Sequence, residues 1–165
     1  MAYPTQGVGK IERIEHKNIG GVPCDFYIVR VRSNNITLMV PVSNAASVGL
    51  RSLVTRAEAQ KIFDGLRAGI ERSVFIGQNW NRRFREYSER LKSPELATVA
   101  EVLRELLLIG RAKELSFGER RLLEQAMSLV CGEISEALGE PMDEIRGQLL
   151  ELYAPSPLEA GAETV

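Results

Sequence analysis

The hydrophobic pattern of the chain changes its period at about Ser52. From Gly7 to Pro41, short runs rich in β-branched and aromatic residues are separated by turn residues around Asn18–Gly21 and Ser33–Asn35. Such punctuation predicts three strands joined by short turns, with the sequences GVGKIERIE, FYIVRVR and ITLMVP. After Ser52 the apolar residues recur at helical spacing, so the sequence predicts a β unit followed by a helical unit.

The strand patterns also predict which side chains face a core. In the third strand Ile36, Leu38 and Val40 alternate with their neighbours and are expected to point inward, whereas Met39 is expected to point outward. In the first strand the apolar residues of Val8–Ile14 are spaced by three, which predicts a bulge or a strong bend. Three short strands cannot close a sheet alone, so the flanking segments are expected to contribute further strands.

Two capping boxes predict helix starts, because a Ser or Thr is followed three residues later by Glu. Thr55–Glu58 opens a helix that runs to about Arg67, and Ser116–Glu119 opens a helix that Gly139 ends. Pro94 is expected to open another helix. Two more helices are expected, one beginning near residue 80 and a last one after Gly139. In chain order, the apolar stripes predicted for the four helices after residue 79 are Trp80, Phe84, Tyr87 and Leu91; Leu96, Val99, Leu103 and Leu106; Leu123, Met127, Val130, Ile134 and Leu138; and Met142, Ile145, Leu149 and Leu152.

The charge is distributed unevenly along the chain. The 165 residues are 44% hydrophobic and 26% charged, as in ordinary globular proteins of one or two small domains. Residues 1–92 carry 15 Lys and Arg against 8 Asp and Glu, or +7, whereas residues 93–165 carry 6 against 14, or −8. This asymmetry favours a basic face that binds a polyanion, although acidic solvated helices are an equally good explanation of the second half.

Metal, disulfide and catalytic chemistry find little support in the sequence. Cys24 and Cys131 are too far apart for a CxxC pair, and His16 has no HxxxH partner. The chain contains no GxSxG motif, P-loop or GxGxxG motif, so we expect neither an enzyme nor a cofactor. Cys24, Asp25 and His16 could form a nucleophile and base, but Cys24 is better explained as a structural residue beside a turn. Without a signal peptide or about 18 uninterrupted apolar residues, the chain is predicted to be soluble and cytoplasmic.

The most informative segment is QNWNRRFR at residues 78–85. Asn79 can cap a helix whose first turns carry Trp80, Arg82, Arg83 and Arg85. Unpaired N–H groups and the positive end of the helix dipole favour an anion there, and the arginines add formal charge. This combination is typical of a minor-groove reader, in which arginines hold the backbone and an apolar wedge enters a base step.

Each of these residues also has a simpler explanation. Trp80 begins an apolar stripe and on spacing alone is more often a core residue. The arginines could form a solvated face that Glu86 and Glu89 balance. Arg120 and Arg121, just inside the second capping box, form another basic pair at a helix N-terminus, which alone means little.

Four spaced motifs occur in order between about Tyr3 and Tyr153. They are Tyr3-Pro4 with Gly7-Val8-Gly9; Val40-Pro41-Val42-Ser43-Asn44 with Val48-Gly49-Leu50-Arg51; Asn79-Trp80-Asn81-Arg82-Arg83; and Leu115-Ser116 before Glu119-Arg120-Arg121. Together they resemble the CarD/CdnL family of bacterial transcription regulators, whose N-terminal domain is related to the polymerase-interacting domain of the transcription-repair coupling factor. The resemblance implies an α+β two-domain protein, with an SH3/Tudor-like β-barrel over residues 1–52 and an all-α domain over 53–154. Residues 155–165 are expected to be a disordered tail.

The resemblance also implies a function. The barrel would bind the β subunit of RNA polymerase, and the helical domain would bind promoter DNA in the minor groove near the upstream edge of the melted region, stabilising the open complex. Trp80 matches the family's wedge, Arg82 and Arg85 its basic neighbours, and Arg120 a basic position at the DNA backbone. The candidate DNA-binding residues are therefore Trp80, Arg82, Arg83, Arg85, Arg120 and Arg121. No membrane or small-molecule substrate is expected, and the protein would be nucleoid-associated through the polymerase.

The candidate polymerase-binding residues are Lys17, Ile19, Met39 and Pro41, of which Lys17 matches a basic position of the family's polymerase face. Some members carry arginine where this chain has Met39. Members also begin with several more residues before the tyrosine that matches Tyr3, so we expect either a missing first strand and an exposed edge, or a start codon assigned too late. The alternative function is a polymerase-binding adaptor without DNA contact, in which Trp80 is buried.

Overall fold

A computed structural model describes residues 1–68 and 80–154 of the chain. Within these residues it has four strands, a short 3₁₀ helix at Val42–Asn44 and five α-helices. The strands are β1 (Ala2–Tyr3), β2 (Gly7–Ile19), β3 (Val22–Val31) and β4 (Thr37–Pro41). The helices are α1 (Arg56–Ala68), α2 (Trp80–Leu91), α3 (Leu96–Ala112), α4 (Phe117–Leu138) and α5 (Met142–Leu152). The expected α+β organisation, a small sheet followed by a helical domain, is confirmed.

The sheet is antiparallel, with the strand order β1-β2-β3-β4. A two-residue turn joins β2 to β3, and Gly20 and Gly21 have φ angles of 60° and 81°. Tight hairpin turns with positive φ at both positions suit glycine, which has no Cβ to clash. Both strands therefore extend further towards the turn than the sequence predicted, up to the Ile19–Val22 pair.

The β unit closes through its first strand. Ala2 pairs with Val8 of β2 and, on its other side, exchanges two hydrogen bonds with Arg51, with N···O distances of 2.8 and 3.0 Å. Ala2–Tyr3 thus form a short first strand of two residues, and the choice between a missing strand and a late start codon stays a prediction. The predicted bulge is confirmed by a shift of register between Ile11 and Arg13.

Side-chain burial in β4 differs in part from the alternation expected. Val40 is buried with Val29 and Leu50 in the barrel core, and Met39 points outward as predicted. Ile36 is exposed, so its predicted core position is wrong. It precedes β4, which begins only at Thr37.

The helical domain is built around α4, which packs against the other four helices and against β2. The predicted stripes of α3 and α4 form the core, apart from Leu123, which is half-buried. Two predicted core positions are wrong: Phe84 is exposed while Arg83 is buried, and Leu152 is exposed while Tyr153 is buried. Fully buried side chains include Leu103, Leu106, Ile109, Met127, Ile134, Ile145 and Leu149.

The predicted helix ends are well formed. The backbone N–H of Glu58 donates to Thr55 Oγ1 and that of Thr55 donates to Glu58 Oε2, at 3.2 and 2.9 Å. Gly139 ends α4 with a φ of 69°. No helix among the described residues is long and apolar enough to cross a membrane. The predicted cap at Asn79, most of the predicted break before it and the predicted tail over 155–165 lie outside the described residues, and the domain boundary at 52/53 stays a prediction.

Candidate nucleic-acid and polymerase interfaces

The N-terminus of α4 presents an aromatic ring and two cations to solvent. Ser116 Oγ accepts from the backbone N–H of Glu119 at 3.3 Å, and Glu119 Oε1 accepts from the N–H of Ser116 at 3.1 Å. This reciprocal cap fixes the first turn of the helix. Phe117, at the first helical position, is 78% exposed, and Arg120 and Arg121 are exposed beside it.

A surface groove connects this turn to α2. Phe84 and Ser88 of α2 line it together with Phe117, Arg120 and Arg121 of α4, and its volume is about 760 Å³. The Arg121 guanidinium lies 6.0 Å from the centroid of the Phe117 ring. Arg120 and Arg121 thus line one groove together with two exposed aromatic rings, Phe84 and Phe117, and α2, which carries Arg82 and Arg85, borders the same groove. The sequence indicated Phe84 only as part of an apolar core stripe, and Phe117 was not predicted, although a large apolar residue directly after a capping serine is a signal that could have indicated it.

The four exposed arginines in the first turns of α2 and α4 differ in whether an acidic side chain lies near them. Arg82 Nε lies 3.4 Å from Glu86 Oε1, and Arg120 Nη2 lies 3.5 Å from Glu114 Oε1, both as exposed pairs. Neither Arg85 nor Arg121 has an acidic partner among residues 1–68 and 80–154. Exposed ion pairs contribute little, so all four cations can be recruited by an anion of higher charge density.

Arg83 departs from the surface role expected of it. Its side chain is on the buried side of α2, one turn before the buried Tyr87, and the residue is 7% exposed. Arg83 Nη2 lies 4.0 Å from Glu119 Oε2. The residue thus faces α4 rather than solvent, and we omit it from the DNA contacts proposed below.

Glu119 therefore has two partners besides its own helix cap. Its carboxylate lies 3.3 Å from Lys113 Nζ, beyond the end of α3, and faces Arg83 of α2. Burial acts to raise the pKa of Glu119, but hydrogen bonds from Ser116 and Lys113 outweigh it and hold the pKa below its ordinary value. A buried carboxylate thus links α2, α3 and α4 behind the groove.

Trp80 is the first residue of α2. This start agrees with the helix predicted to begin near residue 80. The wedge and the alternative core position are both predictions about the Trp80 side chain, which lies outside the described part of the structure. Its role stays a prediction.

The four candidate polymerase residues share one face of the sheet. Directly paired residues of antiparallel strands point to the same side, and successive residues alternate. The register pairs Lys17 with Cys24, Ile19 with Val22, Phe26 with Pro41 and Ile28 with Met39. The β3 partners in these pairs are every second residue from Val22 to Ile28, so all of them point to the same side of the sheet. Their partners Lys17, Ile19, Met39 and Pro41 therefore point to that side as well, which we call the outer face.

The outer face combines exposed apolar side chains with several charged ones. Ile19 and Met39 are 56% and 46% exposed, and Val22, which the sequence analysis did not single out, is exposed beside Ile19. Lys17 is exposed as well, 3.6 Å from Glu15. Exposed apolar side chains grouped around a cation are typical of a protein-binding surface.

The alternation also separates the residues that could have formed a nucleophile and base. His16 Nδ1 lies 2.5 Å from Asp25 Oδ1 across the hairpin, whereas Cys24, paired with Lys17, points to the outer face. The cysteine and the imidazole are thus on opposite sides of the sheet. Over the described residues no group of three or more His, Cys, Asp or Glu is arranged to hold a metal ion.

Comparison with known proteins agrees with this two-part organisation. The family model described as "CarD-like/TRCF RID domain" matches residues 1–54, and that of the "CarD, C-terminal domain" matches residues 61–150. The chain is also 26% identical over 139 residues to the "Putative transcription factor YdeB" of Bacillus subtilis (strain 168), an alignment that covers 84% of this chain and 89% of that protein. The chain therefore belongs to the CarD family of transcription regulators that interact with RNA polymerase.

Proposed function

We propose that the protein binds the β subunit of RNA polymerase through the outer face and promoter DNA through the groove between α2 and α4, and that it stabilises the open promoter complex. The observation that carries this proposal is the meeting of Phe84, Phe117, Arg120 and Arg121 in one groove. Phosphates suit the arginines, and exposed rings suit unstacked bases or an opened base step.

The DNA contact divides into two roles. Arg82, Arg85, Arg120 and Arg121 hold phosphates, because all four are exposed and belong to the two helices that border the groove. Trp80 acts as the wedge, a role that rests on its resemblance to the family's tryptophan. DNA at the upstream edge of the melted region offers both a backbone and an accessible base step.

Stabilisation of the open complex follows from differential affinity. A ligand shifts an equilibrium only by binding one state better than the other. If the wedge and the arginines bind the opened junction better than closed duplex by about 1.4 kcal/mol, the closed-to-open equilibrium shifts about tenfold. The barrel contributes by holding the helical domain near the promoter at a high effective concentration. The protein would then act in the cytoplasm, on the nucleoid, wherever polymerase initiates.

The test is the lifetime of open complexes formed by the cognate polymerase, measured with no addition, with the protein and with Trp80→Ala. The variant must give the same helical circular dichroism and the same affinity for polymerase as the parent. We expect the parent to lengthen the lifetime and Trp80→Ala to lose most of this gain. If both act equally, Trp80 is no wedge, and a polymerase-binding adaptor without DNA contact becomes the better explanation.

The accessibility of Trp80, the single tryptophan of the sequence, can be measured on the parent protein without polymerase. An accessible Trp80 is quenched by acrylamide and is protected when forked DNA is added. A tryptophan that resists acrylamide with and without DNA is a core residue and contradicts the wedge.

A further inference from the structure

The barrel and the helical domain are joined by a partly buried ion pair that has no part in the proposed DNA and polymerase contacts. Arg51 Nη1 and Nη2 donate to Glu133 Oε2 and Oε1, each at 2.8 Å, in a two-pronged geometry. Glu133 belongs to α4 and is only 3% exposed. Planar pairs of this kind fix both distance and orientation.

Arg51 contacts both domains through different atoms. Its backbone exchanges two hydrogen bonds with Ala2 and so closes the β unit. Its side chain binds Glu133, while Nε donates to the carbonyl oxygen of Pro94 in the turn between α2 and α3. Any rotation of the barrel against the helical domain would therefore break bonds at Arg51.

Glu133 also binds the segment that connects the two domains. Its Oε2 also accepts from the backbone N–H of Val54 at 2.9 Å, in the segment that leads from the barrel to α1. A second pair lies one helical turn further along α4, where Arg32 Nη1 is 2.8 Å from Glu136 Oε1. This second pair is exposed and is expected to contribute little.

The same helix carries part of the DNA-binding groove at its other end. Arg120 and Glu133 are 13 positions apart on α4, which corresponds to about 20 Å along a helix axis. A helix of this length is stiff, and α4 is packed on all the other helices of the domain. The barrel's position on α4 thus sets the distance and direction from the outer face to the groove.

We infer that Arg51 and Glu133 are positioning residues, whose pair fixes the orientation of the polymerase-binding barrel relative to the DNA-binding groove. The consequence for transcription rests on the proposed function. The structural part does not, since it concerns the protein alone. Burying the Glu133 carboxylate carries a cost, and a costly pair in place of apolar packing is consistent with a role in geometry rather than in stability.

The variants must separate orientation from folding. Glu133→Gln alone leaves Arg51 without a carboxylate and is expected to destabilise the fold. The double variant Arg51→Met/Glu133→Leu removes both charges and keeps apolar volume, which often restores stability. Arg32→Gln, which breaks only the exposed pair, is the matched control.

Orientation is measured on the full chain without polymerase or DNA. Spin labels are attached at Lys10→Cys on the barrel and Gln148→Cys on α5, both exposed positions, in a Cys24→Ser background. Cys131 stays unlabelled because burial raises the pKa of its thiol to about 12.

We expect a narrow distance distribution in the parent and in Arg32→Gln, and a broadened or shifted one in the double variant at an unchanged melting temperature. An unchanged distribution in a folded double variant would overturn the inference. If the double variant does not fold, Glu133→Gln is measured in its place under conditions where it is folded, with the same two outcomes.

The functional part is measured as open-complex lifetime with unlabelled protein. The double variant should bind polymerase within about twofold of the parent but lose most of the lifetime gain, since a misplaced groove no longer benefits from tethering. A full lifetime gain despite a broadened distribution would overturn the functional part. The proposed function fails separately, through Trp80→Ala in the parent background.

Discussion

Arg83 of α2 and Glu119 of α4 face each other 4.0 Å apart, Nη2 to Oε2, with both side chains almost completely buried. Glu119 at the same time caps the helix that carries Arg120 and Arg121. One buried carboxylate therefore lies between the two helices that expose the proposed DNA contacts. We expect the geometry of the groove to depend on it.

Glu119→Gln should destabilise the protein strongly. The amide keeps the volume and can still accept from the Ser116 N–H, but it removes the buried negative charge that Lys113 and Arg83 face. Breaking one side of a buried pair typically costs about 3 kcal/mol or more. The free energy of unfolding in urea at neutral pH measures the loss. The control is Glu124, which is on the same helix as Glu119 and forms an exposed ion pair with Arg146 of α5. Glu124→Gln should change the free energy of unfolding by less than about 1 kcal/mol. Equal, small effects of both substitutions would show that the buried pair contributes nothing.

Glu119 should also make stability depend on acid pH. Its pKa in the folded state is lowered, burial being outweighed by hydrogen bonds from Ser116 and Lys113. A lowered folded-state pKa means that the stabilisation is fully present above the unfolded-state value of about 4.3 and is lost as the pH falls through the folded-state value. The free energy of unfolding of the parent should therefore decrease on acidification below about pH 4.5, and part of this slope should be absent in Glu119→Gln. Parallel pH profiles for the two proteins would contradict the assignment.

The fold could be predicted largely because its signals are local. Capping boxes, alternation and the glycine turn each depend on a few adjacent residues, and the helices and strands that they predicted are present. Ile36 and Leu152 failed because periodicity indicates a face but not where an element begins or ends. Further strands were expected from the flanking segments but could not be located, because the bridge between Ala2 and Arg51 joins residues that are distant in sequence.

The candidate site could be predicted only in part, for a related reason. Arg82, Arg85, Arg120 and Arg121 are exposed, as charged residues usually are. Arg83 is not exposed, and it faces Glu119, 36 positions away, which the sequence indicated only as a helix cap. Arg51 and Glu133 gave no local signal at all, since neither residue is part of a pattern that indicates an ion pair.

The outer face of the barrel offers a test with a closely matched control. Ile19 and Ile14 are on the same strand, 56% and 50% exposed, but they point to opposite faces of the sheet. Ile19→Glu should weaken polymerase binding by about tenfold or more, because it places a charge in an apolar contact. Ile14→Glu should leave the affinity unchanged, and both should melt close to the parent. The affinity of the two variants for the isolated β subunit, measured by calorimetry, decides the point. Comparable affinities would exclude the outer face as the docking surface.

The salt dependence of DNA binding can identify which arginines contact phosphates. Each phosphate contact contributes about −0.9 to the slope of log K against log salt concentration, because neutralising a phosphate releases counterions. Arg85 has no acidic partner among the described residues, so Arg85→Gln should reduce the steepness of the slope by about 0.9 for forked DNA in the absence of polymerase. Arg56→Gln is the control, since Arg56 is also an exposed arginine near the start of a capped helix but belongs to α1, which does not border the groove. Fluorescence anisotropy over a range of salt concentrations gives both slopes. If the two variants reduce the slope equally, the protein binds DNA through its general positive charge, and the groove between α2 and α4 is not the specific site of phosphate contact.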